Sequence, residues 1–236
     1  MLTVFEVPGV SLAAPRKVWV QRALAPSAAN CLVFLDAEFY LDKVRAPTIL
    51  LDLQRAGSLP GATAVYVSHV DLMARARDLV CDDRFASFVA DDLLGWIERS
   101  LGRFERFFLC GLSLSALEAT FVALRHPATF HGVLAQSPSA WWQDERLVKV
   151  IAPGLASGSR FWISVGEQET QENVLHSPAG LSQKASQRDS VRRLAQALQG
   201  RCRELHYNEF PGAHEMTCWA QELPRALPWL LHDAAD

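Results

Sequence analysis

The sequence predicts an α/β protein: a mostly parallel central sheet with helices on both faces, forming a three-layer αβα sandwich. Three observations carry this reading. Apolar runs of strand length alternate with helical patterns along the whole chain. Cys31–Leu35 (CLVFL) is a continuous apolar run, as a strand covered on both faces is, Ala62–Val70 (ATAVYVSHV) reads as another buried strand and Ser159–Val165 (SRFWISV) as a further strand. Asp36, Ser113, Ser137, Glu169 and His214 each fall just past the end of such a run, where open α/β sheets hold their ligands.

Taken in order, Val18–Leu24 alternates as an early strand ending at Pro26, and Cys31–Leu35 is the first buried strand. A loop, Asp36–Tyr40, follows it. Ala46–Ala56 has helical spacing and stops at Gly57. After the Ala62–Val70 strand, the Arg- and Asp-rich stretch Asp71–Arg84 is expected as a loop. Phe85, Phe88, Val89, Leu93, Trp96, Ile97 and Leu101 fall three or four apart and make the clearest helix. Phe107–Cys110 and Ala116–Leu124 are a buried strand and a buried helix. Phe130–Ala135 is a strand leading into Gln136–Trp142, with a short helix over Asp144–Ile151. After Ser159–Val165 the polar stretch Thr170–Gln183 is expected as a loop, Lys184–Gln199 as a helix stopped by Gly200, Arg203–Phe210 as the last strand and Met216–His232 as the closing helix. No internal repeat or low-complexity tract interrupts the pattern, so all 236 residues are expected to form one domain.

Composition narrows the function. Half the residues are apolar, enough for a sizeable core, and the formal charge of -3 points to neither a nucleic-acid nor an anionic-membrane partner. The five cysteines are scattered without a C-x-x-C pair, as free thiols in a reducing compartment are. The N-terminus lacks a charged head followed by a long apolar run, so no secretion signal is expected and the location is expected to be cytoplasmic. No stretch is long and apolar enough to span a membrane.

The candidate chemistry starts at Gly111-Leu112-Ser113-Leu114-Ser115, between a buried strand and a buried helix. A serine at the apex of a strand–turn–helix is pushed out of the backbone as a nucleophile elbow, and the helix behind it aims N–H groups at the same point. Ser113 is therefore the candidate nucleophile. The usual elbow is G-x-S-x-G because strand and helix backbones pass close together; Ser115 stands at its last position. A serine hydroxyl needs a base with a pKa near neutrality. Of the seven histidines, His214 sits in a tight Pro-Gly-Ala-His turn after the last strand and is the candidate base. A carboxylate between serine and histidine in sequence should fix its tautomer. Glu169, four residues past a buried strand, fits best; Glu167 is closer to that strand and Glu172 further away. Oxyanion donors are expected from the backbone of Leu114 and of Ala37 or Glu38. Trp141 and Trp142, with Phe39 and Tyr40, are candidates for the walls of a substrate pocket.

The chain resembles the esterase family of α/β-hydrolases that includes enterochelin and related siderophore esterases, S-formylglutathione hydrolase and the antigen 85 mycolyltransferases. The similar pieces are LVFLDAEFY, ARARDLVCDDRFASFVADDLLGWIERSL, FFLCGLSLSALEATFVALRHPATFHGVLAQSPSAWW, ISVGEQET and FPGAHEMTCWAQELPRALPWL. The FFLCG-to-SAWW stretch is the most specific and is most similar to the enterochelin-esterase branch, where the segment after the elbow ends in two tryptophans. The resemblance implies an α/β-hydrolase fold, Ser113 as nucleophile, His214 as base and Glu169 as acid, with no metal or organic cofactor. It implies a small-molecule ester as partner, a siderophore-type ester among the options, and a monomer or homodimer. Ala37 departs from the glycine usual after the first-loop aspartate, and the N-terminal domain of full-length enterochelin esterases has no expected counterpart here. Arg45, Arg75 and Arg77 lie near loops that could reach an anionic or catecholate ligand. Two other functions share these residues: an acyltransferase using the same acyl-enzyme, and a non-catalytic binding protein of the same fold, which Ser115 and Ala37 favour.

Overall fold

The computed structural model describes residues 2–12, 14–25, 29–151, 156–177 and 179–232. An eight-stranded sheet runs through it in the order β1 (Leu2–Val7), β2 (Arg16–Gln21), β4 (Ala62–Val67), β3 (Asn30–Leu35), β5 (Arg106–Leu112), β6 (Gly132–Gln136), β7 (Arg160–Gly166) and β10 (Glu204–Phe210). From β4 to β10 every pair is parallel; β1 and β2 add an antiparallel edge. The continuous apolar run CLVFL lies in β3, which like β4 and β7 is buried along its whole length. In β3, Cys31, Val33 and Leu35 face one core and Leu32 and Phe34 the other, because successive side chains of a strand point to opposite faces.

The first core is closed by α4 (Asp83–Ser87), a π-helical turn (Phe88–Leu93), α5 (Leu94–Leu101), α6 (Leu114–Arg125), α7 (Trp142–Ile151) and α8 (Gln187–Leu198). The second is closed by α1 (Ala37–Asp42), α2 (Ala46–Arg55) and α9 (Met216–Leu231). This is the expected three-layer αβα sandwich.

Several elements differ from the sequence reading. β1 has no counterpart in it, and β2 begins and ends earlier than Val18–Leu24; the expected end at Pro26 lies outside the described residues. Asp36–Tyr40, expected as a loop, opens α1: Asp36 takes a left-handed backbone (φ 70°), and its carbonyl accepts from Phe39 and Tyr40 N–H. The expected loop Asp71–Arg84 contains α3 (Leu72–Asp78) and the start of α4. Two of its four aspartates are N-caps: Asp71 accepts from the N–H of Met73 and Ala74, and Asp82 from those of Arg84 and Phe85. The short helix before Ile151 opens with left-handed Gln143, Asp144 and Glu145. The expected loop Thr170–Gln183 carries an antiparallel hairpin, β8 (Val174–His176) and β9 (Leu181–Gln183).

Candidate active site

The carboxyl ends of β5, β7 and β10 bring Ser113, Glu169 and His214 together. Ser113 leaves β5 with φ 56° and ψ -118°, a backbone that an L-residue adopts only when its surroundings enforce it. The close approach at this elbow falls on Gly111, where a Cβ would lie 2.2 Å from the Ser115 carbonyl oxygen. Ser115 is accommodated and bonded: its hydroxyl donates to Leu112 O at 2.8 Å and accepts from Leu112 N at 2.9 Å. Two further contacts hold the apex, Ser113 N–H to Gln136 O (2.9 Å) and Ser139 N–H to Ser113 O (3.0 Å).

His214 Nε2 lies 3.1 Å from Ser113 Oγ, and its Nδ1 lies 2.6 Å from Glu169 Oε2. A carboxylate only accepts, so Nδ1 carries the proton and Nε2 is left free to accept from Ser113. The Glu169 side chain is 1% exposed and that of His214 42%. Glu169 Oε1 takes two further donors, Ser137 Oγ and Gly166 N–H, each at 2.7 Å. Trp219 donates from Nε1 to Ser137 Oγ at 3.1 Å and meets the His214 ring edge-on, centroids 4.8 Å apart. The two loops are also tied through their backbones, Gln168 N–H to Gly212 O at 2.9 Å, across a gap that a Cβ on Gly166 would close. Glu167 and Glu172 stand outside this series of bonds; the Glu167 N–H bonds Phe210 O.

A cavity of about 510 Å³ opens over Ser113. Leu114 lines it, with its N–H in the first turn of α6, where helical N–H groups have no partner in their own helix. Ala37 and Glu38 hold the equivalent positions on α1, at the end of the strand beside β5, and do not line the cavity. The alanine in place of glycine is tolerated because the left-handed turn falls on Asp36.

Of the four expected wall residues, Trp141 lines the cavity and three do not. Tyr40 is fully buried in the second core and donates to Gln136 Oε1 at 3.1 Å. Trp142 packs into the first core with Arg146 over its ring. Phe39 lies against His69 and the Arg75 guanidinium. The segment after the elbow turns inward at Trp142, and α1 folds Tyr40 under the sheet. The remaining walls come from parts the sequence reading passed over: α3 through Leu72 and Ala76, and the β8–β9 hairpin. Trp141 is fixed by Gln187, which accepts from its indole N–H and donates to Ser137 O and Pro138 O. His176 stacks on it at 5.0 Å.

Of the three arginines, only Arg75 lines the cavity, and it is engaged: Nε and Nη2 bind the fully buried Asp36 carboxylate at 2.7–2.9 Å. Burial opposes ionisation of Asp36, but Arg75 and His69 together outweigh it and hold the carboxyl below its usual range. Arg77 pairs with Asp78 and Arg45 is exposed at the start of α2. Among the described residues no cluster of His, Cys, Asp and Glu could hold a metal, and no helix is long and apolar enough to cross a membrane.

Known proteins share this architecture. The family described as "Putative esterase" matches residues 15–230. The iron(III) enterobactin esterase of Dickeya dadantii is 26% identical over 98% of this chain and 55% of its own length. This chain thus spans about half the length of the curated relatives it matches. Among solved structures, the enterobactin esterase of Shigella flexneri, determined in the presence of enterobactin, superposes with a TM-score of 0.84 at 24% identity, covering 98% of this chain and 59% of that one. An IroE-like serine hydrolase from Shewanella oneidensis superposes at 0.75 and 16%, covering 96% and 79%. These likenesses identify the fold as that of the α/β-hydrolases. The chain belongs to the "Putative esterase" family.

Proposed function

We propose that this chain is a serine esterase that hydrolyses a carboxylic ester through Ser113, His214 and Glu169. The observation that carries the reading is the unbroken series Glu169–His214–Ser113, at 2.6 and 3.1 Å, on the wall of an open cavity. In the first step Ser113 Oγ bonds to the ester carbonyl carbon while its proton passes to His214 Nε2. Glu169 stabilises the resulting imidazolium. Negative charge gathers on the carbonyl oxygen, where the Leu114 N–H and the positive end of α6 favour it. The expected second donor, the backbone of Ala37 or Glu38 at the start of α1, does not line the cavity, so the Leu114 N–H carries this step. Collapse breaks the ester C–O bond, and the His214 proton goes to the leaving alkoxide. Water, deprotonated by His214, then attacks the acyl-Ser113 carbonyl, and His214 returns the proton to Ser113 Oγ as the acyl–oxygen bond breaks and the acid is released. The reaction needs no group beyond these residues.

The enterobactin-esterase relatives make a siderophore-type ester a reasonable first substrate to try. The reading further takes the chain as one domain, acting as monomer or homodimer in the cytoplasm, supported by its free cysteines. An acyltransferase would share every step up to the acyl-enzyme and differ in passing the acyl group to an added alcohol faster than to water. The binding-protein alternative rested on Ser115 and Ala37, and both are accommodated without obstruction at the elbow or the first loop.

Labelling with a fluorophosphonate probe, followed by peptide mapping, tests the proposal. Modification at Ser113 that is lost in His214→Ala is the expected result. Folded protein that fails to label, or a Ser113→Ala variant that keeps full esterase activity, would overturn it.

A further inference from the structure

The walls of the cavity carry information about the substrate that the series of bonded side chains does not. In the hairpin, Val174 pairs with Gln183 and His176 with Leu181. These four share one face of the two-stranded ribbon, and all four line the cavity. Leu175 and its partner Ser182 point the other way. Leu72 and Ala76, one turn apart on α3, line the cavity as well. The space beside Ser113 is therefore lined by Leu72 and Ala76 of α3 and by Val174 and Leu181 of the hairpin. The apolar character continues outside. Of the nine large apolar side chains standing in solvent among the described residues, Leu72, Met73 and Leu175 belong to these two segments and Val70 lies just before α3, each more than half exposed.

Charge points the same way. The guanidinium of Arg75 is already neutralised by the buried Asp36 carboxylate. The acidic residues lining the cavity are Glu169, which is bonded to His214, and Glu215, which is exposed at the start of α9. An anion entering here meets the exposed Glu215 and no uncompensated lysine or arginine among the described lining residues. An uncharged apolar group meets a matching wall.

We infer that the site selects an uncharged ester with an apolar moiety lodged between α3 and the β8–β9 hairpin, and rejects esters carrying a negative charge on that moiety. This rests on the reading of Ser113 as nucleophile. A siderophore-type ester meets the rule only in an uncharged form.

Two matched pairs test it. On the acyl side, p-nitrophenyl hexanoate is compared with the p-nitrophenyl monoester of glutaric acid. On the alcohol side, 4-methylphenyl acetate is compared with 4-carboxyphenyl acetate. Each kcat/KM is divided by that ester's rate of alkaline hydrolysis. The neutral member is expected to lead by about ten-fold or more in the pair whose varied side faces the wall, and to trail in neither. Lengthening a neutral chain from acetate to hexanoate on that side should raise kcat/KM about four-fold per methylene until the wall is covered. Leu72→Lys, a change at a half-exposed position, places a free ammonium at the wall and should narrow the neutral-to-anionic ratio. Equal rates in both pairs, preference for an anionic member, or a ratio unmoved by Leu72→Lys would overturn the inference and leave the nucleophile standing. If no ester is cleaved and Ser113 does not label, the underlying esterase reading fails, and the inference fails with it.

Discussion

Replacing Glu169 with glutamine isolates what the carboxylate does, because the structure dictates how the amide must sit. Ser137 Oγ and Gly166 N–H both donate to Oε1. An NH₂ group placed there would face two donors, so the amide oxygen takes that position and the NH₂ turns to His214 Nδ1. The imidazole must then accept at Nδ1 and carry its proton on Nε2, where it can no longer take the proton of Ser113. The same tautomer error in a chymotrypsin-type site costs about 10⁴-fold in kcat, or about 5.5 kcal/mol of barrier. Glu169→Gln is accordingly expected to lower kcat by about 10³- to 10⁴-fold, with KM little changed, and to slow fluorophosphonate labelling in parallel. Its folding stability should stay close to wild type, since the amide oxygen keeps both Oε1 bonds. Glu169→Ala should also lose activity, but it strands a buried hydroxyl and a buried N–H, at about 1–3 kcal/mol each, and should unfold at lower urea. The assay pair is ester turnover and urea unfolding. A stable Glu169→Gln protein within about ten-fold of wild-type kcat would show that His214 does not depend on this carboxylate for its tautomer, and the argument would be wrong.

Three further outcomes follow from the same contacts. Ser137→Ala removes one donor from Glu169 and leaves the buried Trp219 Nε1 without its acceptor, so it should cost about 1–3 kcal/mol in urea unfolding and about ten-fold or less in kcat; an unchanged midpoint would show the hydroxyl to be dispensable. Ser115→Gly restores the usual elbow pattern yet deletes both hydrogen bonds to Leu112, so stability should fall by about 1–2 kcal/mol while Ser113 still labels; a gain in turnover with no loss of stability would mean that the serine obstructs the site. Glu118, wholly buried on α6 with one oxygen accepting the Asp82 N–H and the other unpartnered, is held well above the usual carboxylate range, first by burial and further by Asp82 and Asp83. A raised acid stabilises the fold fully below its unfolded value of 4.5 and loses that contribution as pH rises toward its folded value. Wild type should therefore lose stability relative to Glu118→Gln as pH rises above 4.5, by up to about 1.4 kcal/mol per pH unit, and a pH-independent difference between the two would refute this.

The strands, the elbow and the strand-end positions of Ser113, Glu169 and His214 were legible because each depends on neighbours in the chain. A run such as CLVFL has no polar face to offer water, so it must be covered on both sides wherever it lies. A serine between a buried strand and a buried helix must sit on a sharp turn, and Gly111 and Ser115 show how the chain makes room for it. The polar stretch Asp71–Arg84 misled for a related reason: Asp71 and Asp82 cap helices, and capping residues resemble loop residues in sequence. The walls of the cavity were decided elsewhere. Whether Tyr40 faces substrate or core depends on the path of α1 beneath the sheet, and Trp142 on the inward turn after Trp141. Arg75 is neutralised by Asp36, a partner 39 residues away. The β8–β9 hairpin has three-residue strands, too short for a periodic signal, and it is positioned by His176 stacked on Trp141 and by Gln187 latched to the loop after β6. The sequence by itself determined which groups stand at the strand ends, because each lies a few residues past a strand. Only the tertiary structure decided what surrounds them, because burial and charge compensation are set by residues that meet across the fold.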